Sequence, residues 1–281
     1  MRSVIHHPFA YRLGPVEITG FGIAMLLTFM IGNIVMTREL ERRGEGDAVA
    51  AMSDLTVAAV LGGLLGAKIY YVILTGDSPF HRGGFVFWGG LIGGMASTFA
   101  VMRWKKIPFF RIADVAGIGL AAAYAVGRTG CWAVGDDYGR PWISRFAVSF
   151  PNGAPPSTVR NMISEFGVKS LAGRAPSEVI SVYPTQLFEV ALGFAMFAVL
   201  WRLRAHVHRK GWLFGVYCVL AGAERFVIEF FRAKDDRFLG PLTLAQAIAI
   251  AFMAAGVLIA ASFRSRSPSR ASSPGPAAAS P

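Results

Sequence analysis

A glycine-rich segment, residues 127–139 with the sequence GRTGCWAVGDDYG, carries charged side chains that could do chemistry. Its four glycines allow tight turns and a close approach of the backbone to a ligand. Arg128 offers a forked set of donors to an anion, and the adjacent carboxylates of Asp136 and Asp137 are candidate bases. We interpret the segment as a loop that shapes an anion-binding pocket. The alternative is a structured loop in which Arg128 pairs with one of the two aspartates.

A second group of ionisable residues lies near the end of the sixth apolar segment. Arg225 and Glu229 are four residues apart, so they share one face of a helix, and Arg232 extends the same stripe. The stripe then continues through Lys234, Asp235, Asp236 and Arg237. We favour a phosphate-binding face, because the arginine fork suits phosphate, over an ion pair that only locks two helices together. Glu224 points elsewhere on this helix and is interpreted as structural.

Two further polar residues, Gln186 and Glu189, are three positions apart and follow the sequence YPT of residues 183–185. Proline suits the first turn of a helix. We therefore predict a helix that starts here and points both side chains into a bundle, near its outer surface.

Glycines four residues apart occur in the second and third apolar segments. The pairs are Gly62 with Gly66, Gly89 with Gly93, and Gly90 with Gly94. This spacing is typical of transmembrane helices whose backbones approach closely, and helix packing is the favoured interpretation. The alternative is that Gly89 and Gly90 make room for a lipid headgroup or an acyl chain.

The composition indicates that a membrane bundle positions these residues. The chain has 281 residues, of which 54% are hydrophobic and 16% charged, whereas soluble proteins carry about 25% charged residues. This excludes an ordinary soluble enzyme, a disordered chain and a disulfide scaffold. The net charge of +11 would suit a nucleic-acid binder, but such proteins do not spread apolar runs along the whole chain. We predict one transmembrane domain over residues 1–263, with an outer loop at 127–180, and a disordered cytoplasmic tail at 264–281.

The predicted fold class is an all-α, polytopic membrane protein. A membrane-crossing helix needs about 20 mostly apolar residues, and seven segments qualify. They are residues 18–36, 55–74, 85–102, 113–126, 181–200, 212–231 and 242–263. The fourth is short and contains Asp114, which makes it the weakest of the seven.

Basic residues indicate the orientation of the bundle. The short loops after the odd-numbered segments, together with the tail, hold 14 of them: Arg38, Arg42, Arg43, Arg103, Lys105, Lys106, Arg111, Arg202, Arg204, Arg209, Lys210, Arg264, Arg266 and Arg270. Cytoplasmic loops are enriched in Lys and Arg. We therefore predict that the N-terminus lies outside and the C-terminus in the cytoplasm.

The glycine-rich segment resembles the signature loop of the prolipoprotein diacylglyceryl transferase family. Three further motifs also resemble that family: FVFWGGLIGG at residues 85–94, YPTQLFE at 183–189, and ERFVIEFFRAKDD at 224–236. Their order, their spacing and the predicted topology agree with the family. The similarity covers roughly residues 18–263.

The resemblance implies a multi-pass enzyme of the bacterial inner membrane. It would transfer the diacylglyceryl group of phosphatidylglycerol, a membrane lipid, to the lipobox cysteine that follows the signal peptide of a prolipoprotein. A thioether forms and glycerol phosphate leaves. This reaction needs a base for a thiol of pKa about 8.5, cations for the departing phosphate, and an apolar cavity for two acyl chains. No cofactor, metal or nucleic acid is expected.

The resemblance also implies the site residues. Arg128 matches the family's essential loop arginine, and Arg225 with Glu229 matches its arginine–glutamate pair. The implied catalytic residues are Arg128, Asp136, Glu189, Arg225 and Glu229. The implied phosphatidylglycerol-binding residues are Arg128, Gly139, Arg225, Arg232, Gln186, Gly89 and Gly90.

Several positions depart from the family pattern. Asp136 stands where glutamate is usual, and the other departures are Trp88, Cys131, Tyr183 and Ala221. The histidine most often proposed as the base is therefore absent, and the outer histidines that remain are His6, His7 and His81. His81, in the loop before the third segment, could reach the outer rim, but it is interpreted as a surface residue. Asp136, Asp137 and Glu189 remain as candidate bases.

Two alternatives stay open from the sequence. One is a transporter or lipid-binding protein that uses the same buried charges without chemistry; the lack of a visible internal repeat argues against a transporter. The other is a divergent homologue that is non-catalytic or uses another acceptor or donor.

Overall fold

The computed structural model describes residues 4–14, 16–80, 84–206, 209–233, 237–239 and 242–262. The predictions for His81, for residues 234–236 and for the tail 264–281 lie outside the described residues. The side chain of Arg237, the last residue of the predicted stripe, also lies outside the description.

Long helices occupy each of the seven predicted apolar segments. They are α1 (Gly20–Arg42), α2 (Gly46–Thr75), α3 (Phe87–Trp104), α4 (Phe109–Val134), α6 (Thr185–Leu203), α7 (Trp212–Ile228) and α8 (Leu244–Ser262), while α5 (Val159–Ser164) is a short helix between α4 and α6. Among the described residues, α1, α2, α4, α6 and α8 are long and apolar enough to cross a membrane. The chain is therefore a mostly helical, polytopic membrane protein.

Two helix ends differ from the prediction. Helix α4 continues to Val134 and ends at Gly135, a left-handed cap with φ of 72°, so Arg128 lies inside a helix and not in a loop. Helix α7 ends at Ile228, so the predicted helical stripe from Arg225 to Arg232 is interrupted after its first turn.

Short strands add to the helices and correct the all-α prediction. They are β1 (Val4–Ile5), β2 (Ala10–Leu13), β3 (Val16–Thr19), β4 (Val148–Ser149), β5 (Ser181–Val182), β6 (Arg237–Leu239) and β7 (Leu242–Thr243). Strands β2 and β3 form an antiparallel hairpin, and β4 pairs with β1 in parallel and with β5 in antiparallel register. A strand of two residues is too short for the alternation of apolar and polar side chains that would predict it from the sequence. The pairing ties the N-terminal segment to the loop between α4 and α6.

The segment between α4 and α6 has a hydrophobic core of its own. Phe150, Met162 and Val182 are fully buried in it, and Tyr138 stacks on Phe150 with ring centroids 5.2 Å apart. The region is thus a small folded cap at one end of the bundle, which holds the residues that follow α4 in place.

The glycine pairs of α2 and α3 mediate helix packing. A Cβ on Gly66 would lie 2.9 Å from the Cα of Gly93, and a Cβ on Gly90 would meet Ala67 at 3.4 Å. The same holds for Gly89, whose added Cβ would collide with the backbone of Gly66. These contacts agree with the packing interpretation of the spacing.

Candidate active site

The site is centred on Arg128, in the last turns of α4. One terminal nitrogen of its guanidinium pairs with Glu189 Oε2, in the first turns of α6, and the other donates to Asp137 Oδ2 at 3.0 Å. The side chain of Arg128 is 13% exposed and that of Glu189 is 2% exposed. A buried carboxylate and a partly exposed one therefore hold the two terminal nitrogens of this guanidinium and fix its direction.

Close packing against α1 explains why α4 stays helical through its glycines. A Cβ on Gly130 would lie 2.8 Å from the Cβ of Ala24, and one on Gly127 would lie 3.3 Å from Thr28 Oγ1. The glycines serve a helix–helix contact, and this contact positions Arg128, which lies six residues before the last residue of the helix, Val134.

A tyrosine links the central ion pair to a second carboxylate. The hydroxyl of Tyr124 lies 3.2 Å from Glu189 Oε1 and 2.9 Å from Glu224 Oε1. Glu224 therefore faces the site, which corrects its interpretation as a purely structural residue. Sequence reasoning missed Tyr124, although its position four residues before Arg128 places it on the same face of α4.

Asp137 bridges two arginines from different parts of the chain. Its Oδ1 accepts from Arg232 at 2.9 Å and its Oδ2 from Arg128 at 3.0 Å. Burial raises the pKa of Asp137, but the positive charges of Arg232 and Arg128 outweigh it and hold the pKa below its usual value. Asp137 is therefore a fixed anion. Its pairing with Arg128 matches the alternative interpretation of residues 127–139, in which one of the two aspartates pairs with this arginine.

The pKa of Asp136 is shifted in the opposite direction from that of Asp137. Burial and the adjacent negative charge of Asp137 raise the pKa of Asp136 to about 6. Its Oδ1 is buried and has no hydrogen-bond partner among the described residues. Of the two adjacent carboxylates, Asp136 is thus the one that can take up a proton near neutral pH.

The start of α6 holds the backbone of both aspartates. Gln186 Nε2 donates to the carbonyl oxygen of Asp136, and Thr185 Oγ1 donates to that of Asp137 at 2.7 Å. The helix begins at Thr185, as the YPT sequence predicts, and both Gln186 and Glu189 are buried.

Arg225 and Glu229 form an ion pair across the end of α7, with 2.6 Å between Nη2 and Oε2. Arg232 Nε lies 3.9 Å from the same glutamate oxygen. Although the helix ends between them, Glu229 thus joins both arginines. Glu229 is 1% exposed and Arg225 is 35% exposed, so the pair has a buried anion and an accessible cation.

Gly139 permits the close approach that positions Arg232. Its N–H donates to the carbonyl of Tyr183 at 2.9 Å, and it forms an isolated β-bridge with Arg232. An added Cβ would lie 2.7 Å from the Cβ of Tyr183 and 2.8 Å from Thr185 Cγ2. The observed role of Gly139 is therefore to let two backbone segments meet.

The structure brings most of the predicted site residues together at one end of the bundle: Arg128, Asp136, Gly139, Gln186, Glu189, Arg225, Glu229 and Arg232. Gly89 and Gly90 lie instead in the contact between α2 and α3, and no contact among the described residues joins them to this cluster. His6, one of the outer histidines, is buried, with its ring centroid 4.8 Å from that of Trp132.

Three possible metal ligands, on Cys131, Asp136 and Asp137, lie within 4.8 Å of one another. Arg128 already donates to Asp137 at 3.0 Å and approaches Cys131 Sγ at 3.3 Å. A guanidinium so placed repels a divalent cation. We assign Asp137 to its ion pairs with Arg128 and Arg232.

Comparisons with known proteins identify the family. The model of the family "Prolipoprotein diacylglyceryl transferase" matches residues 8–262. A phosphatidylglycerol–prolipoprotein diacylglyceryl transferase of Xanthomonas oryzae pv. oryzae is 27% identical, with coverage of 92% of this chain and 91% of that protein. The protein of the same name from Clostridioides difficile is 29% identical, with coverage of 89% and 92%. The match spans the cap, the bundle and every residue of the cluster, and the chain belongs to the prolipoprotein diacylglyceryl transferase family.

Proposed function

We propose that this protein transfers the diacylglyceryl group of phosphatidylglycerol to the lipobox cysteine of a prolipoprotein. The observation that carries the proposal is that Arg232 shares Asp137 with Arg128 and Glu229 with Arg225, which brings three guanidiniums together at one end of the bundle. Clustered guanidiniums stabilise the charge that develops on a departing phosphate.

The reaction that we propose is a displacement at a glycerol carbon. The cysteine thiolate attacks this carbon, a C–S bond forms, and the C–O bond to the phosphate breaks. The electron pair leaves with glycerol phosphate, and the proton of the thiol goes to a base on the enzyme. A thioether-linked diacylglyceryl group remains on the prolipoprotein.

The arginines differ in the part they play. Arg225 is the most accessible of the three, at 35% exposure, and first meets the lipid phosphate. Arg128 is held by two carboxylates, and its Nε is buried with no hydrogen-bond partner among the described residues. In this mechanism Arg128 is preorganised, so it stabilises the negative charge of the transition state without a change of its own geometry.

The test of this activity is the mass of an acceptor peptide. Purified protein, phosphatidylglycerol and a lipobox peptide should yield a peptide that is heavier by one diacylglyceryl group. The matched peptide with serine in place of the cysteine should stay unmodified. A transporter or a lipid-binding protein would leave both peptides unmodified.

Asp136 is the base in our proposal. Asp137 is neutralised by Arg128 and Arg232, and Glu189 by Arg128, whereas Asp136 keeps an unpartnered carboxylate oxygen. The carboxylate must be ionised to accept the thiol proton, so activity is present above its pKa and is lost as the pH falls through about 6. We expect turnover to fall about tenfold per pH unit below that value.

An asparagine variant tests this assignment. We expect Asp136→Asn to lower turnover by about 10²- to 10⁴-fold and to abolish the acidic limb of the pH profile. The matched control is Asp137→Asn, which should keep the limb because Asp136 is retained, but move it to lower pH because the charge that raises the pKa of Asp136 is removed. A pH profile in Asp136→Asn like that of the wild type would exclude Asp136 as the base.

We further propose that all seven long helices span the membrane, with the N-terminus and the site on the outer side and the C-terminus in the cytoplasm. The support is the distribution of the 14 basic residues. In a bacterium this places the site at the outer face of the inner membrane, where a signal peptide delivers its lipobox cysteine.

Cysteine labelling in intact cells tests this orientation. Lys106 and Asn152 are both exposed, and the native Cys131 and Cys218 are buried, so the unmodified protein gives a low background. We expect Asn152→Cys to react with a membrane-impermeant thiol reagent and Lys106→Cys to react only after permeabilisation. The opposite labelling pattern would place the site in the cytoplasm.

A further inference from the structure

The end of the bundle opposite to Arg128 contains a polar cavity of about 340 Å³. Its charged lining residues are Arg42, Arg43, Glu45, Asp114, Arg204 and Lys210. Asp114 and Arg128 are 14 residues apart on α4, which separates the two sites by about 21 Å along the helix. The cavity is thus a separate site from the cluster described above.

A single buried carboxylate serves three guanidiniums at this cavity. Glu39 is fully buried in α1, and its Oε1 accepts from Arg42 at 2.7 Å and from Arg43 at 2.8 Å. Its Oε2 accepts from Arg42 at 2.8 Å and from Arg204 at 3.1 Å. Both oxygens of Glu39 are therefore fully used, and the guanidiniums retain further donors.

Asp114 does not accept hydrogen bonds from the remaining donors of these guanidiniums. Its two oxygens accept from the backbone N–H groups of Gly211 at 2.9 Å and of Phe214 at 2.8 Å, at the start of α7. Arg43 Nη1 lies 4.0 Å from Asp114 Oδ2, and Arg43 Nη2 is buried without a hydrogen-bond partner among the described residues. An unpaired buried donor is costly, so the local structure favours an additional anion.

The charged side chains on the remaining side of the cavity also form ion pairs. Glu45 accepts from Arg111 at 2.6 Å and from Lys210 at 3.1 Å, and Arg111 also pairs with Asp47. Together, the group of ion pairs around Glu39 and the group around Glu45 contain five basic side chains and four carboxylates. The excess of one positive charge matches one singly charged anion.

We propose that this cavity binds a single phosphate group, either of an anionic lipid headgroup at this face of the membrane or of a free phosphate. Arg42, Arg43 and Arg204 provide the donors, and a phosphodiester has the single charge that balances the site. Arg204 is held for this role, because its guanidinium lies 3.4 Å from the centroid of the Trp201 ring. The ligand stabilises the bundle and takes no part in the transfer reaction.

The thermal unfolding midpoint of the full-length protein tests the proposal. One arm compares nanodiscs of phosphatidylcholine with and without phosphatidylglycerol. The other adds inorganic phosphate against chloride at constant ionic strength. We expect the bound anion to raise the midpoint by about 5 °C at saturation. If both probes do so, the phosphate group alone is sufficient; if only the lipid does so, the source is a membrane headgroup.

Four variants assign the shift to one of the two sites. Arg204→Gln should lose most of it, because it removes a donor, and Lys210→Gln should lose part of it, because it removes the excess positive charge. Both should fold because Glu39 retains two arginines and Glu45 retains Arg111. Arg103→Gln is the matched control: an exposed charge near the same end of the bundle, whose loss should leave the shift unchanged.

Arg128→Ala should also keep the shift, since the catalytic site lies at the other end. A full shift in both Arg204→Gln and Lys210→Gln, or a shift that disappears only in Arg128→Ala, would overturn the proposal. So would the absence of any shift in the wild type with either probe.

Discussion

Arg128→Lys should lose most of the transferase activity while the protein still inserts and folds. The guanidinium of Arg128 holds Glu189 and Asp137 with two different nitrogens, a fork that an ammonium group does not reproduce. We expect turnover to fall by about 10²- to 10³-fold, and apparent lipid affinity to change much less, because the leaving-group charge develops in the transition state.

The measurement compares turnover and apparent lipid affinity in the wild type, Arg128→Lys and Arg128→Ala. Arg174→Lys is the matched control, since Arg174 also pairs with a glutamate but is 49% exposed on the cap; it should have normal activity. Near-normal turnover in Arg128→Lys would mean that Arg128 contributes only positive potential. Full activity in all three proteins would make Arg128 a structural residue.

Arg225→Ala should nearly abolish transfer. Arg225 is the accessible partner of the buried Glu229, and its loss removes the cation that first meets the lipid phosphate. Removal of one member of a buried ion pair generally costs about 3–5 kcal/mol of stability. Here Arg232 lies 3.9 Å from the same carboxylate oxygen, so Glu229 keeps a positive neighbour and we expect a smaller loss.

Folded yield must therefore be measured together with activity for Arg225→Ala. Arg202→Ala removes an exposed arginine from the other end of the bundle and should keep both yield and activity. If Arg225→Ala were as active as the wild type at normal yield, Arg225 would not belong to the site.

Much of the helical framework and of the site could be predicted from the sequence. Long apolar segments impose helices in a membrane because every backbone group must be paired within the segment, and the seven predicted segments correspond to α1–α4 and α6–α8. Polar residues such as Gln186 and Glu189 stand out in such segments because their burial is costly. Both are buried at the start of α6, beside the residues that follow α4.

Features that depend on tertiary packing could not be predicted. The glycines at 127 and 130 indicate a loop when they are considered alone, but α1 approaches them closely enough to make a continuous helix favourable. Tyr124 lies in an apolar segment, where the sequence alone does not mark it as a site residue. Its role becomes visible only in the structure, where its hydroxyl contacts both Glu189 and Glu224. The position of Arg232 likewise depends on the backbone contact at Gly139, not on helical periodicity.

The most direct test of the account is the release of glycerol phosphate by the purified protein in the presence of phosphatidylglycerol and a lipobox peptide. We predict one glycerol phosphate for each thioether formed, and no release above background when the peptide cysteine is replaced by serine. In Arg128→Ala, release and thioether formation should fall together. A folded wild-type protein that binds phosphatidylglycerol but releases no glycerol phosphate would contradict the proposed transferase activity.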